Sequence, residues 1–223
     1  MSEKFYIEKI EKYVKKYEGV LKNNNSVIMH HCPNVDGQEV MVKAIKQFRQ
    51  FIPKIPYIGG NKNPLTTTLI GSVQLLSLIV TFEDMGISKE VIGKVIYGIV
   101  ENIAESKNKM LMKIFAKRFY SKSRLKKITE AGIESQKRQY PGDWVFEINE
   151  NDQGYFQTQY ECGIHKLYTQ LGYESYVPYL CLTDYATCAV AGLRLERSKT
   201  IADGDDVCNF KFVKGGVPIK VQA

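Results

Sequence analysis

Trp144-Val145-Phe146-Glu147-Ile148, then Asn149-Glu150-Asn151-Asp152-Gln153-Gly154, then Tyr155-Phe156-Gln157-Thr158-Gln159-Tyr160 follow one another without interruption. The first and third blocks alternate apolar and polar residues, the two-residue period of a strand with one buried face. The middle block is rich in turn formers. Together they predict a β-hairpin. Everything before residue 140 repeats its apolar residues near the helical period instead. The fold class is therefore decided here, where the period changes.

Working downstream, Ile164, Leu167, Tyr168 and Leu171 fall on one face of a helix, and Gly172 is a natural stop. A second short helix is expected from near Pro178 to Gly192. Residues 193–200 and 207–213 read as a second hairpin around an Asp203-Gly204 turn. The class is α+β: a helical N-terminal half, then a small antiparallel sheet of two hairpins with two helices inserted between them. That order also looks like the vinyl-reductase-type small-molecule-binding domains, an analogy of fold alone.

Working upstream, residues 2–21 predict an amphipathic helix through Phe5, Ile7, Ile10, Val14, Tyr17 and Leu21, broken by Asn23-Asn24-Asn25-Ser26. His30-His31-Cys32 offers metal-ligating atoms. Neighbouring side chains diverge in any regular element, so partly buried, satisfied histidines are the better reading. A helix is expected over residues 37–51, and Pro53 and Pro56 then call for extended chain. Asn63 reads as an N-cap with Pro64 as the first helical residue. Residues 64–82 carry no charge and are long enough to span a bilayer. Their threonines and serines favour a buried core helix instead. Ser88 is expected to cap the following helix. Residues 107–127 hold Lys107, Lys109, Lys113, Lys117, Arg118 and further bases but no acid. Met110, Leu111, Ile114, Phe115 and Phe119 run between them, read as a packed inner stripe beneath a solvated basic face, with a membrane-surface helix as the lesser alternative.

The 223 residues are treated as one domain, mainly helical over 1–140 and carrying the motifs over 141–223. An apolar fraction of 44% and a charged fraction of 25% suit a globular core. The net charge of +7 favours anionic partners. No nucleic-acid motif accompanies the charge, so the expected partner is a small anionic substrate, with no nucleic acid, with membrane association disfavoured and with a homo-oligomer left open. Five cysteines without framework spacing fit a reduced, cytoplasmic setting. The first residues lack the apolar core of a signal peptide.

Four of those cysteines lie in the last third of the chain. Cys181, Asp184 and Cys188 are spaced to share a helix face, with Tyr185 at its edge. Cys208, Phe210 and Phe212 share one face of the last strand. Cys162 stands where a strand meets a helix, a position that favours thiolate, whereas the acidic turn before Cys208 favours thiol. Three elements could thus bring Cys162, Asp184 and Cys208 into one pocket, a meeting that spacing alone does not show. No pair of cysteines has zinc spacing, so neither a metal nor any other cofactor is expected.

Three blocks carry a resemblance: Tyr160-Glu161-Cys162-Gly163-Ile164; Pro178-Tyr179-Leu180-Cys181-Leu182-Thr183-Asp184; and Ala202-Asp203-Gly204-Asp205-Asp206-Val207-Cys208-Asn209-Phe210-Lys211-Phe212. In order and wording they resemble the L-2-amino-thiazoline-4-carboxylic acid hydrolase family, with weaker support from Gly59-Gly60-Asn61-Lys62-Asn63. Asn209 stands where the family shows Asp. The resemblance implies a hydrolase that opens a small cyclic isothiourea acid to an N-carbamoyl product. Its chemistry asks for a carboxylate anchor from Arg194, Arg197 or Asn63, with Tyr185 alongside. It asks for an acid, Glu161 or Asp184. It asks for a nucleophile, either activated water or a thiolate of Cys162 or Cys208. A non-catalytic small-molecule-binding module is the alternative.

Overall fold

The computed structural model of the chain describes residues 4–221, the side chains of Lys109 and Lys113 excepted. Its contacts group into two compact units, Met1–Ile99 and Val100–Ala223.

The first unit is helical. The helix expected over residues 2–21 is two helices, α1 (Lys4–Ile7) and α2 (Ile10–Asn23), and Ser2 and Glu3 lie outside the described residues. α3 (Asn25–His31) starts after a single-residue break at Asn24. Of the histidine pair, His30 is exposed rather than partly buried; its ring meets that of His31 edge-on at 4.8 Å. α4 (Gly37–Phe51) matches the periodicity, and Asp36 caps it by accepting from Gln38 N–H at 2.8 Å. Pro53 sits inside a 3-10 turn, Ile52–Lys54, and not in extended chain. Its fixed φ suits the first residues of a helical turn as well as an extended one.

α5 (Thr66–Asp84) is the axis of this unit and is buried on nearly all sides. It is long and apolar enough to cross a membrane, and 72% of its apolar window is buried inside the protein. Its polar residues are satisfied at home. Ser72 Oγ donates to Leu69 O, Ser77 Oγ to Val73 O and Thr81 Oγ1 to Ser77 O, at 2.7–2.8 Å. Side-chain-to-backbone bonds of this kind let hydroxyls enter a core at little cost. α4 packs along α5, and Tyr17 of α2 reaches it by donating its hydroxyl to Gln74 O at 2.7 Å. α6 (Lys89–Glu105) follows, with Ser88 Oγ accepting from Val91 N–H.

The second unit contains the rest. The basic stretch is two helices, α7 (Lys109–Phe119) and α8 (Lys122–Ser135), separated where Ser121 caps the second. Then come β1 (Val145–Asn151), β2 (Gly154–Glu161), α9 (Gly163–Leu171), α10 (Val177–Val190), β3 (Arg194–Glu196) and β4 (Cys208–Val213). The sheet order is β1-β2-β4-β3, with every neighbouring pair antiparallel. The expected fold class holds: helices first, then two hairpins joined edge to edge with two helices between them.

The hairpins differ from expectation in detail. The six-residue turn at 149–154 is a two-residue turn, because Asn149, Glu150 and Asn151 continue β1 and Asn151 pairs with Gly154. Gly154 has φ +147°, and a Cβ there would lie 1.9 Å from Phe212 O. Only glycine fits that approach of β2 to β4. The second hairpin is short: β3 has three residues, and residues 197–207 leave the sheet as a loop. α8 is fastened to β1 at a register shift between Val145 and Phe146. Ser135 Oγ accepts from Phe146 N–H at 3.0 Å, and Gln136 Nε2 donates to Phe146 O at 2.9 Å. The irregular strand thus loses no hydrogen bond.

Candidate functional site

The site is assembled by β2, α9, α10, the loop after β3 and β4, all within the second unit. β2 ends at Glu161, and Cys162 is the N-cap residue of α9. Gly163 lets that helix start beneath Trp144; a Cβ there would meet the indole at 2.7 Å and Gly142 O at 2.8 Å. α10 presents Cys181, Asp184 and Cys188 on one face, as their spacing predicts. β4 begins with Cys208, which is buried and accepts from Ile201 N–H at 3.3 Å.

Arg197 binds these elements together. Alternation along β3 places Leu195 inward and Glu196 outward, so Arg197 turns inward, and its side chain is only 3% exposed. It donates from Nη1 to Asp184 Oδ2 at 2.8 Å and from Nη2 to Cys181 O at 2.9 Å. Its guanidinium lies 5.1 Å from the centroid of the Phe210 ring and 5.4 Å from that of Tyr185. Tyr185 in turn donates to Arg197 O at 3.3 Å. The sequence names Arg197 as an anchor for a substrate carboxylate. In the fold its fork is taken by Asp184 and the α10 backbone. The signal was present: an arginine two residues beyond a buried strand leucine shares that leucine's face.

Asp184 has two environments at once. Its side chain is 47% accessible, yet burial raises its pKa above the usual carboxylate range, with Arg197 pulling it back down. The thiols follow the same logic. Cys162 is pushed up to about 11, first by burial. The N–H groups of His165 and Ile164 pull it down, and Cys208 and Asp184 push it up again. Burial thus opposes the thiolate expected at Cys162, and the pull of the helix end does not outweigh it. Burial also raises Cys181, Cys188 and Cys208. The charge of Asp184 opposes ionisation of Cys162, Cys181, Cys188 and Cys208, so these thiols lie within electrostatic reach of that carboxylate. Among the described residues, no three such side chains are placed to hold a metal ion.

The remaining candidates are engaged elsewhere. Glu161, beside Cys162, is ion-paired with both Arg138 and Lys166. Lys166 also donates to Pro141 O and Asp143 O at 2.8 Å, clamping the turn before β1 to the start of α9. Its carboxylate is thus occupied by two cations. Arg194 lies on the outer face, donating to Glu196 Oε1 at 2.7 Å and to Val217 O at 3.3 Å. Asn63 belongs to the first unit. Its side chain closes its own loop, donating to Ile58 O at 2.6 Å and accepting from Leu65 N–H at 2.8 Å, and the helix proper begins at Thr66. A recess of about 440 Å³ on the sheet is lined by Arg197, Tyr185, Ser198, Asn209 and Lys211 among others, but by none of the thiols.

Asn209, standing where Asp is expected, ties down the loop after β3. Its Oδ1 accepts from Ser198 N–H at 3.0 Å and Lys199 N–H at 2.7 Å, and its Nδ2 donates to Ser198 Oγ at 2.9 Å. An Asp there would accept the same two N–H groups, and the serine hydroxyl can turn to donate. Asp203 and Asp205 close the same loop through Thr200. Asn209→Asp is expected to leave the melting temperature within about 2 °C, whereas Asn209→Ala strands two loop N–H groups and costs about 1–3 kcal/mol. Thermal melts of both variants check this.

A family model described as L-2-amino-thiazoline-4-carboxylic acid hydrolase matches residues 73–212. That span holds all three motif blocks and the whole thiol–carboxylate cluster, and leaves out residues 59–63. No curated protein and no solved structure matches the chain.

Proposed function

The chain belongs to the L-2-amino-thiazoline-4-carboxylic acid hydrolase family, whose model covers more than half of it, and on that premise we propose that it opens a small cyclic isothiourea acid by hydrolysis. The observation that supports this reading is that the Asp184–Arg197 ion pair lies inside the matched span, with Cys162 and Cys208 near enough for the Asp184 charge to act on them.

The reaction adds one water across the ring carbon that lies between nitrogen and sulfur. Addition gives a tetrahedral adduct, and its collapse expels the ring sulfur. The product is an N-carbamoyl amino acid with a free thiol. A protonated isothiourea is a flat cation, and in this reading the solvent-accessible part of the Asp184 carboxylate pairs with it. Asp184 then accepts the proton released as the nucleophile attacks. Its raised pKa brings it toward the working pH, where proton transfer is efficient. Arg197 holds the carboxylate in place through its fixed fork.

Two nucleophiles fit this arrangement. Water attacks directly, with Asp184 as base. Alternatively Cys162 attacks as its proton passes to Asp184, and the ring sulfur leaves. The enzyme then carries an S-linked isothiourea until water displaces the thiol. Both routes consume one water and give one product.

Incubation of the purified protein with the thiazoline acid is expected to give N-carbamoylcysteine, read by mass spectrometry as the gain of one water. Absence of turnover with that compound and with close ring analogues ends this reading.

A further inference from the structure

The sequence reading makes residues 107–127 a basic face over a packed apolar stripe, and the fold divides that stripe in two. Met112, Ala116 and Phe119 of α7 do pack on the core formed with Leu125, Tyr155 and Leu193. Met110, Leu111, Ile114 and Phe115 do not: they are 68%, 60%, 41% and 43% exposed. Their spacing of one, three and four residues puts them side by side on one arc of α7, adjoining the arc turned to the core. Isolated exposed apolar residues are ordinary, but four contiguous ones on one helix face are not.

The surroundings of this arc are cationic. Lys107, Lys117, Arg118, Lys122, Lys126 and Lys127 are all exposed, and no acid occurs from 106 to 129. Tyr120 and Ser121 end α7, so the basic residues of the start of α8 follow directly. A solvent-facing role explains the charge but not the exposed Leu and Phe. A nucleic-acid surface has the same shortfall, since phosphate contacts need no apolar arc. An apolar arc set among lysines and arginines matches an anionic lipid surface, where the arc enters the acyl boundary and the cations meet the headgroups.

We propose that α7 is an interfacial helix that docks the protein on anionic phospholipid bilayers through Met110, Leu111, Ile114 and Phe115. The helix lies in the plane of the surface and does not span it. Docking would bring the enzyme to a membrane without using the thiol–carboxylate cluster, so it stands apart from the proposed reaction.

The test uses the full chain and extruded vesicles of phosphatidylcholine, with or without phosphatidylglycerol. Co-sedimentation is expected with the anionic vesicles at low salt, to be weak with neutral ones, and to fall as salt screens the cations. Leu111→Gln with Phe115→Gln keeps every charge and changes only exposed positions, so the fold is retained, as a thermal melt verifies. That double variant is expected to partition at least about tenfold less. Lys117→Gln is expected to weaken binding about fivefold. In a Phe115→Trp variant the added indole should shift to shorter emission wavelengths on anionic vesicles. Failure to bind anionic vesicles at low salt overturns the proposal. So does binding that the Leu111/Phe115 double variant leaves unchanged, or that an RNA homopolymer reproduces with the same indifference to that variant; either result would mark a purely electrostatic surface.

Discussion

Replacing Asp184 with Asn is expected to lower turnover of the thiazoline acid by about 10²- to 10⁴-fold, the range for loss of a positioned proton acceptor. The amide keeps the size and can still accept from Arg197, but it neither takes a proton nor pairs with a cation. The pH profile separates this from simple damage. The wild-type rate requires ionised Asp184, whose pKa burial raises. Activity should therefore fall as pH drops through a value above the ordinary carboxylate range, and the residual activity of Asp184→Asn should lack that limb. Stability moves in a defined direction too. A carboxyl whose folded pKa is raised favours the fold while protonated, and that contribution is lost as pH rises from the ordinary Asp value through the raised one. Asp184→Asn removes this dependence, so its melting temperature should stay flat across that pH window while that of wild type falls. A profile identical to wild type would exclude Asp184 from proton transfer.

Replacing Cys162 with Ser decides the nucleophile. If the sulfur attacks the ring carbon, turnover is expected to fall on the order of 10³-fold or more, because a hydroxyl is a far poorer nucleophile. If water attacks, the rate should stay within about tenfold of wild type. The melting temperature is expected to hold or rise slightly, since serine caps a helix start better than cysteine does. The pH dependence adds a second reading. Cys162 is held near pKa about 11, so an unassisted thiolate would give a rate that climbs steadily toward that pH. Transfer of its proton to Asp184 gives instead a plateau once Asp184 is ionised. Trapping an enzyme-bound isothiourea by rapid acid quench, with a mass increase that disappears in Cys162→Ser, would establish the covalent route. Cys208→Ser should weaken turnover less, and Cys32→Ser, in the first unit, should leave it unchanged.

Periodicity and turn chemistry by themselves determined the order of elements. The step from period 3.6 to period 2 at Trp144 marks the start of the sheet, Gly172 and Gly192 mark two helix ends, and the spacing of Cys181, Asp184 and Cys188 fixes one face of α10. These are local properties, and local sterics and hydrogen bonding set them. Helix spacing and strand alternation also made legible which faces carry Asp184 and Cys208. Three matters were decided only by tertiary structure. The ionisation of Cys162 depends on how much protein surrounds it, and desolvation there outweighs the helix end that the sequence makes visible. The employment of Arg197, Glu161 and Asn63 depends on which partner arrives first in space: Asp184, the Arg138–Lys166 pair and the Asn63 loop itself each claim a side chain that looked available. Burial of the apolar residues of α7 depends on how much neighbouring surface exists to cover them. A helix with an apolar arc wider than the core it meets must leave part of that arc to another partner, and no spacing rule states the size of a core.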